Sequence, residues 1–395
     1  MKMELALEIK NADSIKVIES NDIKEIKKFL DELLYVSDFR LKPKVIHELI
    51  KYINLKIFDE TYKIKVFLAY HYSEICGFVI CQIHPTYTSY GRKCGTFGWL
   101  NVKNFEICKK LMIECEIFLR QNNVRKIRGN LNFPKGFGGI GIQVSGFEHQ
   151  MMYGVAFNDP QSRIFDYLEK LGYKKESEYT CMRVNKQFWD SGRAIDKKIK
   201  YRYLTLEEIK ENKEEILELG RNSFQMNFPD SSGAESRFAE MLETYSQVPK
   251  SHYKLSDNFD PKSYSNIPEF VETWENCNLE EVITWAPMAF DRKSNKLVGI
   301  ILSLPDLYEL WLDKPITRNN VDTAMVRKEY AGRGIFSALN NIGQLTCNLN
   351  GITYYEGTSI WANNKDAINA IFPHCEHIRK HYVLQKRIKN SVITT

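Results

Sequence analysis

The sequence predicts an α/β chain of the α+β kind: two successive units, each a mixed, mainly antiparallel sheet flanked by helices. Three observations lead there. At 395 residues the chain exceeds what one hydrophobic core usually organises, which favours two domains. Two well-separated segments end alike, since Ile164 to Val184 reads as helix, glycine turn and strand, and Asp366 to Ile388 repeats that order. Within each half, runs of period-two alternation precede runs with helical spacing, the signature of strands backed by helices.

In the first half, "YKIKVFLAYH" and "ICGFVICQIHP" read as antiparallel neighbours turning around Tyr72 to Glu74. "TFGWLNV" extends the sheet, "NFEICKKLMIECEIFLRQNN" is a helix, "VRKIRGNLNF" is a strand, and Ile164 to Leu171 is the next helix. The stretch Asn185 to Lys200, with its Ser-Gly pair and mixed charges, reads as a connector. The expected organisation is therefore a first domain over 1–186, a linker over 187–200 and a second domain over 201–395.

The second half repeats the order. "TLEEIKENKEEILELGRNSF" is one helix opened by a capping box at Thr205. A hairpin turning at Ser294-Asn295, the strand "NNVDTAMVRK", a helix from Phe336 to Asn348, the strand "GITYYEGTSIW" and a closing helix and strand complete it. Val248 to Glu281, rich in Pro, Ser and Asp, reads as an insertion and a candidate substrate lid.

Composition excludes several classes. Hydrophobic residues at 43% and charged residues at 27% describe an ordinary globular chain. The net charge of +5 is spread without a basic block, and aromatic stacking platforms and basic stripes are not interleaved around "KKIKYR" (Lys197 to Arg202), so nucleic-acid binding is not expected. No stretch has the length of a membrane span, and the N-terminus carries acidic residues inside its one apolar patch. A soluble, cytoplasmic protein without a membrane partner follows. Nine cysteines, odd in number and without a C-x-x-C pair, read as reduced thiols. "PHCEHIRKH" (Pro373 to His381) invites a metal reading, but its His, Cys and Glu residues alternate across a turn and a strand, so no metal site is expected.

The chemistry concentrates at "VRKEYAGRGIFSALNNIG", Val326 to Gly343. A strand that enters a helix through Gly332 and Gly334 presents main-chain N–H groups and the positive end of the helix dipole in one direction, a setting for phosphate oxygens. The Rossmann and Walker patterns are absent. Instead the segment resembles the acyl-CoA pyrophosphate loop of the GNAT superfamily of N-acyltransferases, Q/R-x-x-G-x-G/A. Glu329 stands at the Q/R position, a departure, followed by Tyr330, Ala331, Gly332, Arg333 and Gly334. "YEGTSIWANNKDAINAIF" is similar to the superfamily's next strand and its N-x-x-A helix, with Asn364 and Ala367 in place, and "YLEKLGY" resembles the Y-x-x-x-G-F signature that closes a GNAT domain. "GNLNFP…GFEHQ" (Gly129 to Gln150), "PDLYE" (Pro305 to Glu309) and the E-x-x-x-x-W-x-x-N pattern from Glu356 resemble a tandem group of GNAT proteins. "GFGGIGI", Gly136 to Ile142, then becomes a loop rimming the first domain's cleft.

This resemblance implies an acyl-CoA-dependent N-acyltransferase, with acetyl-CoA or another acyl-CoA as co-substrate and direct transfer to a small-molecule or peptide amine. The chain would act as a monomer or homodimer. The cofactor would lie on Met325 and Val326, one of which supplies the main-chain oxyanion donor, on the loop from Tyr330 through Gly334 to Ile335 and Phe336, and on Asn364. The first half has no glycine cluster in "TFGWLNVKNFEICKK" and is expected to have lost cofactor binding. The superfamily's usual tyrosine acid falls at Ile371. Glu356, on the strand beside the cleft, is the expected base. Two other readings stay open: a non-catalytic acyl-CoA sensor or scaffold, which the missing tyrosine and Glu329 favour, and a Fem-type transferase using aminoacyl-tRNA.

Overall fold

The computed structural model describes residues 14–185, 196–223, 229, 234–252, 260–264, 266–275 and 282–389. The expected linker lies outside the described residues up to 195. The first half runs β1 (Ile15–Ser20), α1 (Ile23–Leu33), α2 (Lys42–Ile57), β2 (Lys63–His71), β3 (Glu74–Ile83), a short ribbon of β4 (Thr88–Ser89) and β5 (Arg92–Lys93), β6 (Gly95–Val102), α3 (Phe105–Gln121), β7 (Lys126–Gly129), α4 (Lys135–Gly138), β8 (Ile142–Ser145), α5 (Ile164–Lys170) and β9 (Lys174–Val184). The second runs β10 (Ile199–Arg202), α6 (Leu206–Glu211), α7 (Lys213–Ser223), α8 (Ala234–Gln247), α9 (Pro268–Glu275), β11 (Met288–Asp291), β12 (Leu297–Pro305), α10 (Leu307–Trp311), β13 (Arg318–Val326), α11 (Ile335–Leu349), β14 (Tyr354–Trp361), α12 (Lys365–Ile371) and β15 (Cys375–Arg387).

Local chemistry explains most boundaries. Thr205 caps α6 in a complete capping box with Glu208, each side chain satisfying a backbone N–H that the helix start leaves open. The single helix expected over Thr205 to Phe224 is broken at Asn212, whose Nδ2 donates to the Glu208 carbonyl at 2.8 Å and so competes with helix continuation. Strand β7 ends at Gly129, earlier than expected, because the following residues fold back onto β6. The insertion from Val248 does not behave as a lid where it is described: α9 buries Phe270 and Trp274, with Trp274 5.0 Å from Tyr203 ring to ring.

The two expected sheets are one. Its order is β1-β2-β3-β6-β7-β15-β9-β14-β13-β12-β11-β10, with β8 also on β15. Neighbours are antiparallel except β6/β7 and β13/β14. The chain's last strand, β15, pairs with β7 of the first half (Leu384 opposite Gly129) and with β9 (Val383 opposite Ser177). Strand β9 in turn pairs with β14 of the second half, Glu356 opposite Arg183. Each half is thus completed by the other's closing strand.

A candidate active site between β13 and β14

The parallel pair β13/β14 holds register only from Arg318/Tyr354 to Val321/Gly357. Beyond that the strands part. Two irregularities drive the separation. Strand β13 carries a bulge where Leu302 faces Thr323 and Ser303 faces Val321, leaving Asp322 as the extra residue. Strand β14 shifts register against β9 between Gly357 and Ile360, and Ser359 there has φ 52°. Bulges bend a strand and re-aim a side chain, and here they open a wedge.

Ladder alternation fixes which amides face the wedge. On β12, the Ile301 and Ser303 N–H groups donate to Pro287 and Trp285, so Ile300 and Leu302 face β13. Opposite them, Met325 pairs with Ile300 and Thr323 with Leu302, while the Arg327 N–H donates to the Val298 carbonyl at 2.8 Å. Antiparallel pairs alternate strictly. The main-chain N–H groups of Ala324 and Val326 therefore point into the wedge, and that of Met325 points to β12.

A cavity of about 440 Å³ fills the wedge and passes between α7, α8 and α11. Its lining includes Ala324, Met325, Phe336, Asn340, Asn364 and Ala367. Helix α11 opens at Gly334, which has φ 75° and supplies no side-chain cap. Gly332, at φ 76°, precedes it after a short turn over Lys328–Tyr330.

Solved structures match this architecture over almost the whole chain. A tandem GNAT protein from the clavulanic acid biosynthesis pathway superposes with TM-score 0.54 at 10% identity, covering 95% of this chain and 99% of that one. A GCN5-related N-acetyltransferase from Sphaerobacter thermophilus gives 0.51 at 11% identity, covering 96% and 98%. A probable N-acyltransferase from Enterococcus faecalis V583 gives 0.51 at 9% identity, covering 95% and 73%. The chain has the tandem GNAT fold. No protein-family model matches the sequence, and no curated protein matches it.

Within the GNAT fold the two wedges differ. In the first half, β6 and β7 pair only at Gly95/Ile127 and Thr96/Arg128, so they part as β13 and β14 do. The chain after β7 then occupies the gap. The Leu131 N–H donates to the Phe97 carbonyl at 2.9 Å, and the Trp99 amide donates to Asn132 Oδ1 at 2.7 Å. A small cavity of about 40 Å³ lies beside Trp99, Asn130 and Asn132. Helix α3 is capped by the Asn104 side chain, which accepts from Ile107 N at 3.1 Å. One wedge is plugged and its helix capped; the other is open, with glycine at the cap.

The residues expected to hold a cofactor divide. Met325, Phe336 and Asn364 line the cavity. Tyr330 turns to Asp291, its hydroxyl 3.2 Å from Oδ2. Arg333 bonds Asp196 at 3.3 Å and the Glu329 carbonyl at 3.2 Å, with its guanidinium 4.6 Å from the Tyr330 ring centre. Ile335, the first residue of α11, is buried. Val326, Ala331, Gly332 and Gly334 are not in the lining; they form the strand end and the turn before α11. The side chain of Ile371 lies outside the described residues.

Glu356 sits on β14 as expected, but not in the cavity's lining. It is fully buried, with Arg379 Nε at 2.9 Å from Oε1, Arg379 Nη2 at 3.3 Å from Oε2 and the Tyr354 hydroxyl donating to Oε2 at 3.0 Å. Burial and the Glu356 charge push the Tyr354 hydroxyl up to about 12. Arg379 also donates to the Gln150 carbonyl at 2.7 Å. Beside it Arg318 pairs with Asp306 at 2.9 Å and donates to the carbonyls of Met151 and Gln150. Two buried ion pairs thus grip one loop of the first half.

The charged groups that do line the cavity were not singled out in the sequence. Asp322, aimed by the bulge, contacts Arg237 of α8, and Oδ2 accepts from the Thr323 hydroxyl at 2.8 Å. Arg237 also bonds Glu240 at 3.0 Å, and Glu240 Oε2 accepts from the Gly136 N–H at 2.7 Å. The "GFGGIGI" loop therefore borders the second half's cavity through Gly136 and Ile140. Asn340 is also new: it is 7% exposed, lines the cavity, and its Nδ2 has no hydrogen-bond partner. The Tyr355 hydroxyl donates to the Gln344 carbonyl at 3.0 Å, which places Gln344 at the paired end of the strands. Asn340, one helical turn earlier, lies over their point of separation. Of the histidines of "PHCEHIRKH", His381 is built into the fold: it is buried with Nε2 2.9 Å from the Ala156 carbonyl, and burial lowers its pKa to about 4.

Proposed function

We propose that the second unit binds an acyl-CoA, acetyl-CoA in the simplest case, and transfers its acyl group directly to an amine held in the same cavity. The observation that carries this reading is the open wedge, where the Ala324 and Val326 amides point away from β12 and Ala324, Met325 and Phe336, in the first turn of α11, line the cavity. A thioester carbonyl against those amides has the donors that a developing oxyanion needs. The diphosphate takes the turn from Tyr330 to Ile335, where an uncapped helix start favours anions. Ladder alternation supports Ala324 and Val326, rather than Met325, in the role of oxyanion donor. Phe336 and Asn364 flank the pantetheine arm.

Asp322 takes the role expected of Glu356. A proton acceptor must reach the amine, and Asp322 lines the cavity, whereas Glu356 does not. The amine nitrogen attacks the thioester carbon, its proton passes through water to the Asp322 carboxylate, the C–S bond breaks, and the thiolate leaves. Asn340, with a free donor above the wedge, stabilises the departing sulfur where Ile371 replaces the usual tyrosine. The plugged wedge makes the first unit a wall of the site. Calorimetry with coenzyme A and acetyl-CoA on the intact chain is the test: one site per chain is expected. Absence of binding removes the reading, and binding without turnover on a broad amine panel leaves the sensor in its place.

A further inference from the structure

The acceptor side of the cavity has a distinctive wall. Ile216 and Leu217 of α7, Phe238 and Met241 of α8, and Leu302 and Leu304 of β12 all line it, and all but Leu302 are 5% exposed or less. Beside this wall the lining holds two carboxylates, Asp322 and Glu240, together with three cations, Lys135, Arg221 and Arg237. Asp322 shares Arg237 with Glu240, and Glu240 Oε2 accepts from both Arg237 and the Gly136 N–H. A second ammonium placed here would meet the Arg237 guanidinium.

From this we infer that the acceptor is a primary monoamine on an apolar body, an arylalkyl or branched-alkyl amine, with its ammonium on Asp322 and its carbon skeleton against the α7, α8 and β12 wall. The inference rests on the acyl-transfer reading and narrows it. Transfer of carbon from water to this wall is favourable. A sugar hydroxyl or a second ammonium in the same place loses its water without a partner, and an unpaired polar group in an apolar setting selects strongly against its carrier. The first unit contributes through Gly136: its N–H orients Glu240, and a Cβ there would stand 3.1 Å from Glu240 Oε2.

The test uses the full-length protein, with acetyl-CoA as donor and thiol release as readout, on phenethylamine, isoamylamine, glucosamine and spermidine. The expected result is a kcat/KM at least tenfold higher for the two apolar amines than for the other two. Equal or better turnover of glucosamine or spermidine overturns the inference and leaves acyl transfer standing. Calorimetry with coenzyme A separates the two failures: without CoA binding the transfer reading falls, and direct titration of the same four amines then decides the acceptor class by the same order of affinities. Leu302→Asn, checked by thermal melting, should narrow the preference for phenethylamine over glucosamine about tenfold. An unchanged ratio in a folded variant also overturns the inference.

Discussion

Two carboxylates on neighbouring strands separate structure from chemistry at the level of single residues. Glu356→Gln leaves the Arg379 guanidinium buried without its counter-charge, which costs about 3–5 kcal/mol when one partner of a buried pair is removed. Its signature is a lower denaturation midpoint in urea. Asp322→Asn faces the cavity and should lower kcat/KM about 10²-fold or more, the usual scale for a lost general base, with little change in that midpoint. Steady-state kinetics and urea melts on both variants check the assignment; the reverse pattern would return catalysis to Glu356. Asp306 gives a pH signature. Burial raises its carboxyl from 3.8 to about 6, with Arg318 opposing. The folded state therefore holds this proton more tightly than the unfolded chain, so the contribution is complete below pH 3.8 and is lost as pH rises through about 6. Asp306→Asn should remove that share of the slope: the stability difference between wild type and variant, from urea melts across this window, should shrink as pH rises.

At the scale of elements, the turn into α11 concentrates the argument. Gly334 holds φ 75° at the helix cap, a conformation that costs a β-branched residue about 1–2 kcal/mol. Gly334→Val should displace the first-turn amides and weaken coenzyme A binding at least tenfold by calorimetry, while Gly351→Ala, in open space beyond the other end of α11, should leave it unchanged. This turn was legible in the sequence because glycine spacing reports backbone conformation directly. So were the β2/β3 and β11/β12 hairpins and the Thr205 capping box, whose signals are local. The signals for α1 are local too: Asp22 caps it, accepting from Lys24 N, and Ile26, Phe29 and Leu30 recur on its buried face. Helix α9 was obscured by the Pro, Ser and Asp around it, although Phe270 and Trp274 have one-turn spacing. Asp322, Glu240 and Asn340 were not legible at all. A bulge, a helix and the far wall of a wedge bring them together, and none of these leaves a pattern in nearby sequence.

For the whole molecule, the exchange of closing strands decides what counts as a unit. "KKESEYTCMRV" and "CEHIRKHYVLQKR" are both closing strands by pattern, and nothing local says which sheet either joins. In the fold, β15 contributes Val383 and Leu384, both fully buried, between β7 and β9, while β9 carries Thr180 and Met182 into the pairing with β14. The sequence boundary near residue 186 is therefore not a boundary in the sheet. Cleavage at a protease site inserted between residues 187 and 195 should leave the two pieces associated, since main-chain pairing and buried side chains continue across β7, β15, β9 and β14. A single gel-filtration peak at the position of the uncut chain, splitting only in denaturant, is the expected outcome. A chain ending at residue 374 should destabilise the first half as well as the second, because β7 and β9 both lose their neighbour and the Glu356 carboxylate loses Arg379. Hydrogen exchange along β7 reads this directly: protection there should fall with β15 removed, whereas two independently folded domains would leave it intact.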